Sequence, residues 1–554
     1  MNVRALLLLV LLGQLAGCAV NPATGRNNFV MMSEQQELDL GRRYNQQILK
    51  ENPRYADEKL QAYVQQVGER VAKNSHRNQL AYQFTVVDSP DINAFALPGG
   101  YIYIHRGLLA YLSSEAELAA VLGHEVGHVT ARHSVQQQSQ STAWGLLGQA
   151  VAIGTGVGAA ADVTSVLGGA VVRGYGRDME LEADGLGAQY LARSGYDPQA
   201  MVAVVKVLKN QEDFARDQAA ERGEAQPTGG YHGLFDTHPD NDRRLQQVLG
   251  PARALATGQQ EVNREGFLKR LEGLPFGDSA ESGVRRGQRF YHADLNFTLA
   301  FPQGWNLLNR PDALIGHTAD QQAFVAMTLE DNPQKLAPAE LLRQRVGGQR
   351  LVAGVELQQA GLTGYSAVLP GNAAKRIAVI QHGARAYLFV AAVRGQASLE
   401  SQDAQFLSVI KSFRPMTAAE YKQAQPQRLQ LVKVKPGQTL ESLAKDIPLS
   451  GDAVKALRLL NNLKALKNLL HNQTRRTLVG FYNNLSNLAI QRVTDCKQFS
   501  QNLARICRTQ QRSIAISRSA IHLLLNRSMQ VDHVTTTLQR STVFSTHNRT
   551  TARR

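Results

Sequence analysis

The alternation of apolar and polar residues predicts helices in the first part of the chain and strands in much of the rest. Apolar residues recur at helical spacing from Ser33 to Val71, and the opening residues Ser-Glu-Gln-Gln-Glu are typical of a helix N-cap. Short runs at residues 82–87 and 101–104 predict strands. Ser114 and Glu117 have capping-box spacing and begin a helix predicted to reach His133. One apolar face of that helix carries Leu118, Val121, Leu122, Val126 and Val129.

Strand periodicity takes over in the region 285–416, which we interpret as a separate α+β accessory domain. The predicted strands are residues 297–301, 324–329, 377–380 and 387–393. The helix predicted after them carries Phe406, Leu407, Ile410 and Phe413 on one face. We find no catalytic constellation in this region and interpret His382 as a turn residue. The domain is therefore expected to recognise a substrate or partner.

The first residues have the pattern of a secretory signal. Arg4 precedes an apolar run, and residues 15–18 read Leu-Ala-Gly-Cys. This ending resembles the bacterial lipobox, which implies a signal peptide at 1–17 and acylation of Cys18 as a membrane anchor. An ordinary cleaved signal or a short membrane anchor is the alternative. Ala19 in place of Asp implies sorting to the outer membrane of a Gram-negative cell, with the protein body in the periplasm. The polar turn residues 21–25 predict a short tether.

A stretch rich in Gly, Ala and Val separates two of the predicted helical regions. Residues 144–161 carry no charge over 18 positions, which is the lower limit for a membrane span. Their many small side chains contribute little transfer free energy. We therefore favour a mobile apolar hairpin or lid over a transmembrane helix.

The net charge of +15 belongs mainly to the end of the chain. Residues 464–554 hold 15 Lys and Arg against 2 acids, whereas the remaining residues carry only +2. Nucleic-acid binding by the main body is therefore not expected. Cysteine is absent between Cys18 and Cys496, so no disulfide framework is expected there.

The predicted helix 114–133 contains the sequence His-Glu-x-x-His. His124 and His128 are four residues apart and project from one side of a helix, as two imidazole ligands of one zinc ion must. Glu125 between them is placed to accept a proton from the attacking water. The pattern also arises by chance, so other motifs must support it.

The third zinc ligand is expected downstream, within the residues Glu-Leu-Glu-Ala-Asp that begin at Glu180. His133 is five residues after His128 and points off the ligand face. Glu180 and Asp184 share a helix face, so Glu180 can complete the zinc shell while Asp184 bonds the outer nitrogen of a ligand histidine. Glu182 faces the other way.

These two motifs, together with the residues Asn-Ala-Phe-Ala-Leu-Pro-Gly-Gly from Asn93, resemble the HtpX and CAAX-prenyl-protease superfamily of zinc endopeptidases. The resemblance is strongest to its periplasmic lipoprotein and BepA-like members and covers roughly residues 19–260. It implies an α+β fold class, with a mainly helical, gluzincin-type metalloprotease domain and small sheet at 18–260, followed by the accessory domain. It also implies one Zn²⁺ per chain.

A further motif in the same region surrounds His238 and Arg244. Asp-Thr-His-Pro at 236–239 followed by Arg244 resembles a segment of this superfamily whose histidine either stabilises the oxyanion or blocks the zinc. Arg244 is interpreted as orienting that segment or binding substrate, with a surface salt bridge as the alternative. The extended segment Asn93, Ala94 and Phe95 is expected to pair with a substrate strand, or else to be an ordinary edge strand.

The C-terminal region divides into two parts. Residues 428–463 are similar to the first strand and two helices of a LysM module, which implies a possible peptidoglycan ligand, but no closing strand is recognisable. Residues 464–554 form a basic tail that we interpret as disordered or frameshifted.

Together these patterns predict a zinc metalloendopeptidase of the bacterial cell envelope. Its expected substrates are unfolded or misassembled periplasmic and outer-membrane proteins, and its expected anchor is lipidated Cys18. The alternative is a peptidoglycan-associated chaperone or scaffold whose protease site is closed or unused.

Overall fold

The computed structural model describes residues 18–142, 175–221, 238, 241–371, 373–395, 398–445, 447, 453–463 and 474–479. The predicted signal peptide, the predicted lid at 144–161 and most of the basic tail lie outside these residues. Within the described part of the chain, no helix is both long enough and apolar enough to cross a bilayer.

Helices dominate the part of the chain before residue 275. They are α1 (Glu34–Glu51), α2 (Glu58–Ala72), α3 (Arg106–Leu109), α4 (Glu115–Thr130), α5 (Arg177–Arg193), α6 (Gln199–Glu221), α7 (Asn241–Leu255) and α8 (Arg264–Leu271). Residues 133–142 are helical as well. The predicted N-cap Ser33 is present, because its hydroxyl accepts from the Gln36 N–H and the Gln36 side chain accepts from the Ser33 N–H. The predicted helical run to Val71 is interrupted near Pro53, between α1 and α2.

A small sheet accompanies these helices. It consists of β3 (Gln83–Val87), β4 (Ala94–Leu97) and β5 (Tyr101–His105). Its order is β3-β5-β4, with β5 parallel to β3 and antiparallel to β4. The strand β4 is thus at an edge of the sheet, next to α4.

The helix α4 is buried on every side and not only along its apolar stripe. All its residues from Glu115 to Thr130 are buried. The polar residue Glu115 is accommodated because its carboxylate accepts from the Tyr63 and Tyr196 hydroxyls and the Asn263 amide. The predicted apolar face is therefore buried, and so is the rest of α4, which is the central element of the first core.

The cap of α4 also differs from the predicted capping box. The Ser114 hydroxyl accepts from the Glu117 N–H at 3.2 Å, as expected. The Glu117 carboxylate, however, accepts from the N–H of Ser113 at 2.7 Å and not from that of Ser114. The backbone N–H groups of Ser113 and Glu117 therefore both have a side-chain acceptor at the start of the helix.

The accessory region is built on a large antiparallel sheet. The short strand β6 (Pro275–Phe276) precedes this region. The strands of the region are β7 (Val284–Arg286), β8 (Arg289–His292), β9 (Phe297–Ala300), β10 (Asn306–Asn309), β11 (Leu314–His317), β12 (Ala323–Asp331), β13 (Val352–Gln359), β14 (Leu362–Leu369), β15 (Lys375–His382) and β16 (Arg385–Val393). Seven of them have the order β10-β11-β12-β16-β15-β14-β13, and β7, β8 and β9 form a second sheet.

Two helices pack on the seven-stranded sheet. They are α9 (Pro338–Arg345) and α10 (Leu399–Lys411), followed by the short α11 (Glu420–Gln423). Phe406 and Ile410 of α10, with the following Phe413, join the aromatic core that contains Phe297 and Phe389. The mixed α+β class is confirmed. His382 is the last residue of β15 and the first residue of the tight turn to Arg385, and its Nε2 lies 3.0 Å from the Asn296 carbonyl oxygen.

The C-terminal described segment has the order strand, helix, helix, strand. Its elements are β17 (Gln427–Lys433), α12 (Leu440–Ala444), α13 (Ala453–Leu460) and β18 (Thr474–Val479). The strand β18 pairs antiparallel with β17, which also pairs with β6. The closing strand that the sequence did not reveal is therefore present, inside the predicted tail. Leu429, Leu457 and Leu460 belong to the first core, so this segment packs against the helical part of the chain.

The predicted tether after Cys18 is folded onto the first domain. Cys18–Val20 (β1) pairs with Asn27–Phe29 (β2) in an antiparallel hairpin. Asn21 in its turn is 2% exposed, and the Met31 N–H donates to the Ser139 hydroxyl at 2.9 Å. The predicted short tether is therefore a folded hairpin, whose turn residue Asn21 donates to Glu182 of α5.

One buried histidine makes stability depend on pH. His105, in β5, has no hydrogen-bond partner at either ring nitrogen within the described residues, and burial lowers its pKa to about 4. In the unfolded state, His105 therefore takes up a proton below about pH 6.5. In the folded state, it takes up that proton only below about pH 4. We expect this group to remove about 3 kcal/mol of stability between pH 7.5 and pH 4. His105→Leu should flatten the pH dependence measured by chemical denaturation; an unchanged slope would contradict this.

Candidate metal centre

Close packing of α4 on α5 creates the site. A Cβ added to Gly127 would lie 2.9 Å from the Ala183 carbonyl oxygen, and one added to Gly187 would lie 3.0 Å from the His124 nitrogen. Only glycine allows the two backbones to approach this closely. As a result, the side chains of Glu180 and Asp184 lie directly beside those of α4.

The predicted ligands come together in one buried cluster. The Nε2 atoms of His124 and His128 are 3.0 Å apart. Glu180 Oε2 lies 3.5 Å from His124 Nε2, and Glu180 Oε1 lies 3.3 Å from His128 Nε2. Donor atoms bound to one tetrahedral zinc ion at about 2.0–2.1 Å are about 3.3 Å apart. Each of these three pairs of donor atoms therefore has about the spacing of two corners of a zinc tetrahedron.

His238 is the fourth member of this cluster. Its Nδ1 lies 3.3 Å from His124 Nε2 and 3.0 Å from Glu180 Oε2, and its Nε2 lies 3.2 Å from the Ala94 carbonyl oxygen. The potential ligand atoms of all four residues lie within 4.8 Å of one another. Without a metal, both ring nitrogens of His238 face acceptors, because Nε2 faces the Ala94 carbonyl and Nδ1 faces the Glu180 carboxylate. His238 thus stands where a fourth ligand would stand.

The charges around the cluster favour a cation. Burial disfavours a charged His124, but its hydrogen bonds to Asp184 and Glu180 outweigh this and raise its pKa to about 9. Burial also opposes ionisation of Glu180, yet nearby His238 and Arg244 hold its pKa well below the usual range. Glu180 is therefore a carboxylate, and nitrogen and carboxylate donors of this kind suit zinc.

Glu125 lies next to the cluster without being part of it. Its Oε1 is 3.6 Å from His238 Nε2, and its Oε2 is buried with no hydrogen-bond partner within the described residues. Burial raises the pKa of this carboxyl group. A buried acceptor with a free oxygen and a raised pKa is suited to exchange protons with a reacting molecule.

Asp184 and Arg244 support His124 from behind. Asp184 Oδ1 accepts from His124 Nδ1 at 2.8 Å, the contact predicted from the spacing of Asp184 and Glu180. Arg244 donates to both oxygens of Asp184, at 2.7 and 2.8 Å, and its Nη1 lies 3.2 Å from Glu180 Oε2. Arg244 is 3% exposed. The alternative of a surface salt bridge is wrong, because this ion pair is buried.

The predicted substrate strand reaches the cluster at one residue. The Ala94 carbonyl contacts His238, whereas the Phe95 ring stacks on Tyr103 and the Asn93 carbonyl accepts the backbone N–H of His105. Pairing of this edge with a substrate stays a prediction. Cys18 lies in the N-terminal hairpin, and its proposed lipidation stays a prediction too.

Sequence reasoning missed two residues that contact His128. His133 Nδ1 lies 2.8 Å from His128 Nδ1. The Tyr175 ring stacks on the His128 ring with centroids 3.8 Å apart, and the Tyr175 hydroxyl lies 2.7 Å from that of Ser134. Tyr175 precedes α5 without any recognisable motif. For His133, the sequence predicts only that its side chain points off the ligand face and does not bind zinc.

Comparison with known proteins finds relatives that are named as proteases. The chain is 33% identical over 243 residues to the beta-barrel assembly-enhancing protease of Yersinia pestis, which covers 42% of this chain and 47% of that protein. The Escherichia coli protein of that name is 32% identical over 203 residues, which are 35% of this chain and 42% of that protein. The mitochondrial metalloendopeptidase OMA1 of Arabidopsis thaliana is 37% identical over 138 residues, which are 25% of this chain and 28% of that protein.

The family match concerns the helical part of the chain. The chain spans less than half the length of the bacterial relatives that it matches. The sequence profile of peptidase family M48 matches residues 58–252, which include all four members of the buried cluster. Residues 58–252 of this α+β protein are therefore similar in sequence to peptidase family M48.

Proposed function

We propose that the chain is a zinc-dependent metalloendopeptidase that cleaves peptide bonds of misfolded or misassembled proteins in the bacterial cell envelope. The observation that carries the proposal is the buried cluster of His124, His128, Glu180 and His238, whose donor atoms have zinc-like spacing. The peptidase-family match and the metallopeptidase names of the relatives support it.

His124, His128 and Glu180 would hold the metal. When bound, Zn²⁺ supplies Lewis acidity, which makes water a better nucleophile and polarises a carbonyl group. Glu125 would accept the proton of the attacking water at Oε2, the oxygen that has no partner, and then deliver it to the leaving amine. This sequence of proton transfers needs no covalent intermediate on the protein.

His238 would close the site in the conformation described. Catalytic zinc sites keep one position open, whereas structural sites have four protein ligands. With His238 Nδ1 3.0 Å from Glu180 Oε2 and 3.3 Å from His124 Nε2, His238 would take the position that water or substrate needs. We therefore favour a blocking role over oxyanion stabilisation, and His238 must move before substrate binds.

This closed arrangement also supports the alternative function. A protein whose site is permanently closed could not cleave substrate and would act as a chaperone or scaffold. The segment formed by β17, α12, α13 and β18 has the element order strand, helix, helix, strand that is expected of a LysM module. Binding of peptidoglycan by that segment and anchoring through lipidated Cys18 remain parts of the proposal. Both would hold the protein at the periplasmic face of the outer membrane.

The first test is zinc content and casein cleavage of the full-length chain, with and without His238→Ala. We expect about one zinc per chain in both proteins, because three ligands remain. Cleavage by His238→Ala should be faster than by the wild type, since a position becomes free. His317→Ala in the accessory region is the matched control and should change nothing.

The other outcomes separate the alternatives. Slower cleavage by His238→Ala would assign His238 to the transition state instead of to blocking. Zinc without cleavage in either protein would favour the chaperone or scaffold. A wild-type chain without zinc would exclude the proposed metal centre.

A further inference from the structure

A second line of hydrogen bonds supports the ligand His128 from the side away from the cluster. His128 Nδ1 lies 2.8 Å from His133 Nδ1. His133 Nε2 lies 3.5 Å from Glu182 Oε2, and Glu182 Oε1 accepts from the Asn21 amide at 2.9 Å. His133 is 0% exposed and Asn21 is 2% exposed. The line thus runs from the metal cluster to the N-terminal hairpin.

The direction of these bonds is fixed at the Asn21 end. Asn21 Oδ1 already accepts the backbone N–H groups of Ala23 at 2.9 Å and Thr24 at 3.2 Å. The amide nitrogen of Asn21 must therefore face Glu182 and donate to it. Since an ionised carboxylate only accepts, the other oxygen of Glu182 takes a hydrogen bond from His133 Nε2.

The same logic determines the protons on both histidines. With a proton on Nε2, neutral His133 has a lone pair on Nδ1 and accepts from His128 Nδ1. His128 then carries its proton on Nδ1, which leaves the Nε2 lone pair directed at the cluster. That is the form in which an imidazole binds a metal ion.

We propose that His133, Glu182 and Asn21 are positioning residues that hold His128 in its metal-binding tautomer and orientation. The proposal rests on the proposed metal centre. His124 is held in the same way by Asp184 and Arg244, so each histidine ligand has its own support. The support of His128 begins in the turn three residues after Cys18, so docking of the N-terminal hairpin contributes to the metal site.

The test measures the zinc dissociation constant of the full-length chain by competition with a chromophoric chelator at pH 7.5. Loss of a partner behind a ligand histidine typically weakens metal binding about 10- to 100-fold. His133→Leu should therefore bind zinc at least about tenfold more weakly. His133→Asn should stay within about threefold of the wild type, because an amide oxygen can replace Nδ1 as acceptor.

A second pair of variants follows the line outwards. Glu182→Ala should weaken zinc binding in the wild type but have no effect in the His133→Asn background, where the link to Glu182 is already lost. The Glu182 side chain is 27% exposed, so its removal does not threaten folding if His133→Leu fails to fold. Asp178→Ala, an exposed carboxylate on the same helix, is the control for loss of charge and should bind zinc like the wild type.

Two results would overturn the inference while leaving the metal centre intact. One is wild-type zinc affinity in both His133→Leu and Glu182→Ala. The other is His133→Asn binding as weakly as His133→Leu, which would indicate a packing role. A wild-type chain that binds no zinc would instead refute the proposed function itself, and this inference with it.

Discussion

Glu125→Gln in the full-length chain should reduce casein cleavage by about 10²- to 10⁴-fold, the usual contribution of a general base. The amide keeps the size of the carboxylate but accepts a proton far less readily. The carboxylate is suited to this role because burial raises its pKa and because Oε2 has no hydrogen-bond partner among the described residues. Zinc content should not change, since Glu125 is outside the four-residue cluster.

The measurement is initial cleavage rate against zinc content for the wild type, Glu125→Gln and the control Glu69→Gln. Glu69 is an exposed residue of α2, so its substitution tests for nonspecific effects of losing a carboxylate. Cleavage by Glu125→Gln at the control rate, with zinc bound, would assign proton transfer to another group. Loss of both zinc and cleavage would make Glu125 a structural support of the metal site.

The ligand cluster was accessible to sequence reasoning because helical periodicity relates its members locally. His124 and His128 lie on one helix, and Glu180 and Asp184 lie on another, each pair four residues apart. Periodicity says nothing about how the two helices meet. Here the glycines Gly127 and Gly187 set the approach, and only the structure shows the contacts that result.

The sequence did not reveal the contact of His133 with His128, because the predicted helix extends beyond the end of α4. The predicted helix reached His133, but α4 ends at Thr130 and Arg132 has a left-handed backbone, with φ of 59°. The chain therefore changes direction before His133, and a second helical segment begins. An argument from four-residue spacing does not apply across such a break.

Long-range pairing explains what else the sequence concealed. Residues 474–479 carry two arginines and two threonines, so they lack the apolar alternation that marks a strand. They form β18 because β17 offers a partner edge more than 40 residues earlier in the chain. For Arg244 the sequence left a surface salt bridge open as the alternative, and its burial follows from pairing with Asp184 on a different helix.

Arg244→Leu should lower the free energy of unfolding of the metal-free protein by about 3–5 kcal/mol, because it leaves a buried carboxylate without its partner. Asp184 and Arg244 are 1% and 3% exposed. Burial alone would raise the pKa of Asp184, but Arg244 and His124 lower it to about 2, so the residue stays charged. Without Arg244, that charge is desolvated and only His124 remains to balance it.

Chemical denaturation of metal-free wild type, Arg244→Leu and the control Arg385→Leu tests this prediction. Arg385 pairs with Asp331 at 3.5 Å, but their side chains are 41% and 62% exposed, so its loss should cost less than about 1 kcal/mol. Adding Asp184→Asn to Arg244→Leu should restore part of the stability, because the unpaired charge is removed. If Arg244→Leu costs no more than the control, water must reach Asp184 in solution, and the support of His124 would be looser than its hydrogen bonds indicate.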